Sequence, residues 1–309
     1  PDLGVQWRFA SEKSIDHFGH GASFFIECMK NNLKDIDNNK LTKLKSVGST
    51  GSPLSKEAFY WLQKKLPKVQ LISLSGGTDV CSAFLGGNPF LPVYAGHLQC
   101  EMLGASVECW NEKGEKVNNE TGELVITNPM PCMPIYFWGD NQNKLYTDRY
   151  FHKFKGVWTH GDWIQKNETK GIKILGRSDS TLNRKGIRIG TSEIYSALDK
   201  LDEIVDSIIL DLPNQKDHSQ LFLFVVTNKK LDFKLINKIK NELKFKCSPQ
   251  YIPDKIISIK EVPYTLSGKK LEIPIKKILL GGDPSEVINY GSLKNPTSLD
   301  FFIKRQDNW

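Results

Sequence analysis

Three textures of apolar and polar positions follow one another along the chain. In the first, SKEAFYWLQKKL (55–66) reads as a helix closed by Pro67, and VQLISLS (69–75) as a strand running into the turn SGGTD. From 98 to 175, the short apolar runs ASVECW, GELVIT, VWTHGDWI and IKIL are separated by Gly, Asn and Pro turns, which predicts antiparallel strands. From 192 the period changes again. SEIYSALDKLDEIV predicts an amphipathic helix with Ser192 as its cap and Glu193 in its first turn. VDSIILDL, QLFLFVVT and KIISIK are strands, and 231–246 is a helix with apolar residues at 235, 236, 239 and 243. This third texture is a small α+β unit. NNLKDIDNNK (31–40) is expected as an exposed loop.

The bulk properties narrow the function. The 309 residues suffice for two domains, each with its own core. The net charge of +7 is spread along the chain, and the densest basic stretch is the outer face of the 231–246 helix. A solvated helix face explains that stretch, so no nucleic-acid partner is expected. No apolar run approaches the ~20 residues of a membrane span, so no membrane partner is expected either. The opening PDLGVQWRFASEKS has neither the basic end nor the apolar stretch of a signal peptide, and it lacks Met; we read the chain as a piece of something longer. The six cysteines (Cys28, Cys81, Cys100, Cys109, Cys132, Cys247) show no C-x-x-C spacing, and the histidines no H-E-x-x-H. Free thiols in a reducing, cytoplasmic setting are expected.

Five stretches carry candidate chemistry. In KSVGSTGSPLS (45–55), glycines and small hydroxyls precede a helix; such a turn brings backbone close to a ring or phosphate, although a plain loop with Ser55 as helix cap is the blander reading. LSGGTDV (74–80) sits at a strand end, where Thr78 could donate to an oxyanion and Asp79 could hold Mg²⁺; the alternative is a Gly-rich turn with Asp79 as a cap. In VWTHGDWI (157–164), Asp162 could accept both hydroxyls of a ribose, or mark a hairpin turn, and a lone His160 reads as structural. GRSDSTLNRKGIRIG (176–190) holds three of the chain's six arginines, Arg177, Arg184 and Arg188. Guanidinium binds phosphate bidentately, and a mere basic linker would not call for arginine over lysine. In VPYTLSGKKLEI (262–273), Lys269 in a flexible loop could deliver charge to a developing phosphate anion, or be a solvated lysine.

Together, the order and spacing of STGSPL, SGGTD, LPVYAG, YFWGD, GRSDSTLN, GIRIGTSEIY and VPYTLSGKK resemble the adenylate-forming family of acyl-CoA synthetases, firefly luciferases and peptide-synthetase adenylation domains. The resemblance covers roughly 15 to 300. It implies an adenylate-forming fold, α/β and α+β. Residues 1–178 would be the C-terminal part of the large AMP-binding domain, an α/β sheet plus a β-barrel-like subdomain, and 179–309 the small mobile C-terminal domain. It implies ATP, Mg²⁺ and CoA as cofactors and acetoacetate as the acid, activated to an acyl-adenylate and passed to CoA. Gly51, Ser52 and Pro53 match the segment along adenine, Thr78 the residue on the α-phosphate, and Asp79 the Mg²⁺-binding glutamate, one methylene shorter. Asp162 matches the ribose acceptor and Arg177 its partner, Asp179 the hinge, Gly186 and Arg188 the CoA loop, and Lys269 the adenylation lysine. Acetyl-CoA synthetases carry tryptophan ahead of the Thr-acidic pair; Gly76 and Gly77 here imply a roomier acyl pocket.

The family's phosphate loop, rich in Ser, Thr and Gly and ending in Pro-Lys, does not occur in 1–47. We therefore expect the chain to need an N-terminal portion as partner, to leave a core face exposed and to be inactive alone. A ligase for another short acid stays open, as does a non-catalytic fragment that binds nucleotide or CoA.

Overall fold

A computed structural model describes residues 2–178, 182–184, 187–213 and 219–305. The chain divides into two compact units, Pro1–Ile174 and Leu175–Trp309.

The first unit opens on a parallel sheet in the order β1-β2-β3, made of β1 (His17–Gly21), β2 (Ser46–Thr50) and β3 (Gln70–Ser73). Helices α1 (Val5–Glu12), α2 (Ala22–Lys30) and α3 (Lys56–Lys65) cover it. Trp7 is fully buried and stacks on Phe18 at 4.0 Å, with Phe25 beside both. α3 is the helix expected from the pattern, and Ser55 caps it by accepting from the Ala58 amide at 3.2 Å. β1 and β2 were not expected. Their sequences, HFGHG and SVGST, are poor in strand formers, and it is the packing of a sheet buried under helices that makes strands of them. Residues 31–40 are loop, half of them exposed, pinned by the buried Ile36.

After β3 the chain changes sheets at Leu74. The strand β4 (Ser75–Gly77) pairs antiparallel with β5 (Ser82–Gly86), which pairs with β6 (Cys100–Glu101). The expected turn SGGTD is thus strand over Ser75–Gly77, and the turn falls on the next four residues. A four-stranded sheet follows, in the order β10-β9-β8-β7: β7 (Val107–Trp110), β8 (Thr121–Ile126), β9 (Trp158–Asn167) and β10 (Gly171–Arg177). These are the four apolar runs of the second texture. Helix α4 (Lys144–Tyr150) lies between β8 and β9 in the chain. Phe84 and Leu85 share one core with Val107, Leu124, Trp158 and Ile164, so the two antiparallel sheets pack over a common core. Phe90, Leu103, Ile135 and Trp138 stand more than four-fifths exposed on this unit.

In the second unit, the hairpin β11 (Leu182–Arg184) and β12 (Ile187–Ile189) leads into α5 (Thr191–Leu198). α5 starts at Gly190 without a side-chain cap; the Ser192 hydroxyl instead donates to the Leu175 carbonyl, and the helix stops at Leu198, short of the expected 205. The sheet β13 (Ile204–Pro213), β14 (Ser219–Thr227) and β15 (Lys255–Ser258) is mixed: β13 and β14 are antiparallel, β14 and β15 parallel. Both faces are buried. Leu221, Leu223 and Val225 pack under α5 and α6 (Phe233–Lys246), whereas Phe222 and Phe224 face α7 (Glu272–Leu279) and the C-terminal segment. Two-sided burial explains why the runs in these strands are continuous rather than alternating. The C-terminal segment carries two short helices, α8 (Pro284–Val287) and α9 (Asp300–Ile303), and buries Leu293, Leu299 and Phe302 against this face.

Candidate active site

The carboxyl ends of β2 and β3 meet at one edge of the parallel sheet, the place where such sheets bind ligands. Past Thr50, Gly51 takes φ +83° with nothing within 4 Å of where a Cβ would stand, a left-handed position that favours glycine. Gly51, Ser52 and Pro53 are exposed. The Thr50 hydroxyl donates to the Leu74 carbonyl at 3.1 Å, and the Leu74 amide donates to the Ser49 carbonyl at 2.8 Å. The loop is thereby tied to the residue just ahead of β4.

Residues 78–81 form the turn between β4 and β5, closed by the Cys81 amide donating to the Thr78 carbonyl at 3.1 Å. Thr78 and Asp79 are exposed, while their neighbour Val80 is fully buried and holds the turn down. Gly76 is required by close approach: a Cβ would stand 2.1 Å from the Ser82 carbonyl oxygen. A Cβ at Gly77 would instead meet the His160 ring at 3.2 Å.

His160 and Asp162 owe their positions to a bulge. Thr159 of β9 faces Val125 and Trp163 faces Glu123, so three residues, His160, Gly161 and Asp162, stand opposite Leu124 alone. Gly161 takes φ +88° there. Bulges of this kind re-aim side chains. Both His160 and Asp162 are buried, with Nε2 and Oδ2 3.6 Å apart, beyond hydrogen bonding. The Trp158 indole N–H donates to His160 Nδ1 at 3.4 Å, which puts the proton of a neutral ring on Nε2, facing Asp162. Phe84 stands edge-on to the ring at 4.6 Å.

Tyr150 was missed by the sequence reading, and no spacing marks it: it lies 71 residues from its partner. Its hydroxyl donates to Asp79 Oδ2 at 2.5 Å. Burial, reinforced by that carboxylate, pushes the hydroxyl up to about 12, so it stays a donor at neutral pH. Its ring stacks on Trp158 at 3.7 Å. Asp140 starts α4 by accepting from the amides of Leu145 and Tyr146, each at 2.9 Å, and so delivers Tyr150 at the helix end. Gly51–Pro53, Gly76–Asp79 and Asp162 are thus linked through few contacts within the first unit.

Arg177, Arg188 and Lys269 belong to the second unit. Arg177 ends β10, after Gly176 at φ +134°. Arg188 is on β12, its Cα opposite that of Asn183. Asp179 and Gly186 lie outside the described residues. Lys269 follows a tight turn: Gly268, at φ +79°, donates its amide to the Thr265 carbonyl at 2.9 Å, and the Lys269 amide donates to Thr265 Oγ1 at 3.0 Å. Lys269 is exposed. Lys270, beside it, is anchored: it pairs with Asp206 at 3.0 Å, donates to the Ser207 carbonyl and lies over the Tyr195 ring at 3.9 Å.

Among the described residues no cluster of three or more His, Cys, Asp or Glu could enclose a metal ion. Asp79 stands outside any such cluster, and one of its carboxylate oxygens accepts from Tyr150. All six cysteines are free, and no described helix is long and apolar enough to cross a membrane.

No family model matches the chain. It is 38% identical over 306 residues to the acetoacetyl-CoA synthetase of Gallus gallus, a match covering 98% of this chain and 45% of that one. The acetoacetyl-coenzyme A synthetase of Rhizobium meliloti is 38% identical over 304 residues, covering 98% and 46%. Among solved structures, the acetoacetyl-CoA synthetase from Streptomyces lividans superposes with a TM-score of 0.91 at 37% identity, covering 99% of this chain and 47% of that one. The chain therefore spans about half the length of the curated relatives it matches. Over nearly its whole length the chain is thus similar in sequence and in fold to about half of these acetoacetyl-CoA synthetases, and it has the fold of the adenylate-forming CoA ligases.

Proposed function

We propose that the chain is the C-terminal part of an AMP-forming acetoacetate–CoA ligase. What supports this reading is the tie from Thr50, beside the Gly51–Pro53 loop, to Leu74 just ahead of β4, whose far end carries the Thr78–Asp79 turn, and the approach of Gly77 to His160, which lies 3.6 Å from Asp162. Homology to enzymes named for acetoacetate supports the choice of acid.

The roles follow the chemistry of each group. Gly51, Ser52 and Pro53 offer an exposed, backbone-rich edge to adenine. Thr78 donates to an α-phosphate oxygen, and Asp162 accepts from ribose hydroxyls with Arg177 beside the ribose and phosphate. Asp79 would hold Mg²⁺, which supplies neutralisation of phosphate charge when bound. The acid's carboxylate oxygen attacks the α-phosphorus, the O–P bond to pyrophosphate breaks, and Lys269 stabilises the negative charge that develops. In the second step the CoA sulfur attacks the acyl carbon and AMP leaves, with Gly186 and Arg188 lining the CoA approach and Asp179 as the hinge between steps. Gly76 is taken up by close packing against β5. We therefore assign the opening of the acyl pocket to Gly77, with His160 as its floor.

The test is acetoacetate-dependent AMP release with ATP, Mg²⁺ and CoA. It is made on this chain and on the chain joined to the N-terminal portion of the Streptomyces lividans enzyme. Turnover by the joined protein alone is expected. Preference for another short acid overturns the substrate, and absence of nucleotide-dependent chemistry with every acid overturns the ligase reading.

A further inference from the structure

The turn that carries Lys269 is gripped from both sides. On its inner side, Tyr264 donates its hydroxyl to Asp206 at 3.1 Å, and Lys270 pairs with the same carboxylate. On its outer side, the segment 292–295 runs alongside the turn and is joined to it by a single bridge and two backbone hydrogen bonds. The Leu266 amide donates to the Ser292 carbonyl at 2.8 Å, Thr265 and Leu293 form an antiparallel bridge, and the Lys294 amide donates to the Tyr264 carbonyl at 2.9 Å. Asn295 closes this strap. Its Oδ1 accepts from the Tyr264 amide at 2.9 Å, and its Nδ2 donates to the Val262 carbonyl at 2.8 Å. Asn295 is itself held, since the Ser298 hydroxyl donates to its carbonyl at 2.6 Å and Leu293 is buried in the core beneath.

A two-stranded hairpin by itself is marginally stable in water. Here the flanking 292–295 segment and the amide clasp hold the backbone leading into the turn of an exposed lysine. Pre-organised charge is effective because it costs no reorganisation when the transition state forms, and a displacement of about 1 Å can cost on the order of 10²-fold in rate. We propose that Asn295 is a positioning residue for Lys269, so that the C-terminal strap of this chain serves the adenylation step. The inference rests on the adenylation role assigned to Lys269 above.

A merely structural clasp would weaken both half-reactions alike, so the two are read separately. In the joined protein, adenylation is followed by acetoacetate-dependent exchange of pyrophosphate into ATP, and thioester formation by CoA consumption from supplied acyl-adenylate. Asn295→Ala is expected to lower adenylation by on the order of 10–10²-fold while leaving the thioester step within about twofold. Asn295→Asp keeps the acceptor for Tyr264 and loses the donor to Val262, so it should fall between the two. In the 309-residue chain itself, Asn295→Ala should speed amide hydrogen exchange over 264–270 about tenfold or more, with the β13 and β14 amides unchanged. Unchanged exchange in the hairpin, unchanged adenylation, or equal loss of both steps overturns the proposal. Lys269→Ala is run in parallel. If it abolishes adenylation and Asn295→Ala does not, only the positioning role falls. If Lys269→Ala leaves adenylation intact, the assignment of Lys269 falls as well.

Discussion

The turn at 78–81 and the turn at 265–268 solve one problem in two ways. Each presents a polar side chain to solvent, Asp79 in one and Lys269 just past the other. Each holds that residue by fixing its neighbour in sequence. In the first unit the neighbour is Val80, sunk fully into an apolar core, and the support behind Asp79 is a tyrosine stacked on tryptophan. In the second the neighbour is Lys270, tied down by a carboxylate, a carbonyl and an aromatic face. The first is an apolar brace with a single polar contact, the second a polar brace. The lesson is that a polar side chain can stay exposed while the next residue along is anchored.

The comparison can be broken from either end. The largest effect is expected from Trp158→Ala, which removes the ring under Tyr150 and leaves a void in the core shared by the two antiparallel sheets. A loss of about 3–5 kcal/mol should be read as a lower urea midpoint for the first unit. A change below about 1 kcal/mol would mean that the apolar brace does not carry the turn. Next comes Lys269→Ala in the joined protein, with adenylation down about 10²–10³-fold and thioester formation from supplied adenylate retained. Equal loss in both steps would remove the special status of the second turn. Lys270→Met keeps the stem but abandons Asp206, and it should destabilise the second unit by about 1–2 kcal/mol. If it stabilised that unit, the polar brace would be dispensable.

The smallest effect sharpens the contrast through pH. The folded state raises the Tyr150 hydroxyl to about 12 from the ordinary value of about 10. The protonated form is therefore favoured by folding, and its contribution is complete below pH 10 and lost as pH rises toward 12. Tyr150→Phe should cost about 1 kcal/mol at pH 8 through the lost hydrogen bond. It should also make the first unit's decline between pH 10 and 12 shallower. An equal slope in both proteins, measured by urea unfolding at pH 8 and pH 11, would separate Tyr150 from that decline.

The elements with strong periodicity were legible in the sequence: α3, α6 and the strands β7 to β10 follow from apolar spacing. The strands β1 and β2 were not, because HFGHG and SVGST have weak local preference and take their form from the helices packed on them. The helix read over 192–205 was too long because Ile204 and Val205 extend the apolar pattern into the next strand. In the candidate site, Asp79, Asp162 and Lys269 stand out in the sequence because their residue types carry chemistry, and their roles belong to the proposal. Its supports were not. Tyr150, Lys270 and Asn295 have nothing unusual beside them in the chain, and their partners lie 71, 63 and 31 residues away. His160 read as a structural histidine, and only the bulge in β9 brings it against Gly77.

Two-sided burial of β13 and β14 has a consequence for how that sheet finds its alignment. A slip by one residue usually turns apolar side chains out to water, and that penalty sets the pairing. Here the slip would trade one apolar face for another, so hydrophobicity alone discriminates poorly. What remains is shape, with Phe222 and Phe224 on one side and Leu221, Leu223 and Val225 on the other, and a fixed point at the strand's beginning. The irregularity between Ile204 and Asp206 is that fixed point, because Asp206 is where Tyr264 and Lys270 attach. The carboxylate that steadies the lysine turn thus sits at the sheet's irregular corner, and losing it should loosen the turn and the start of β13 together.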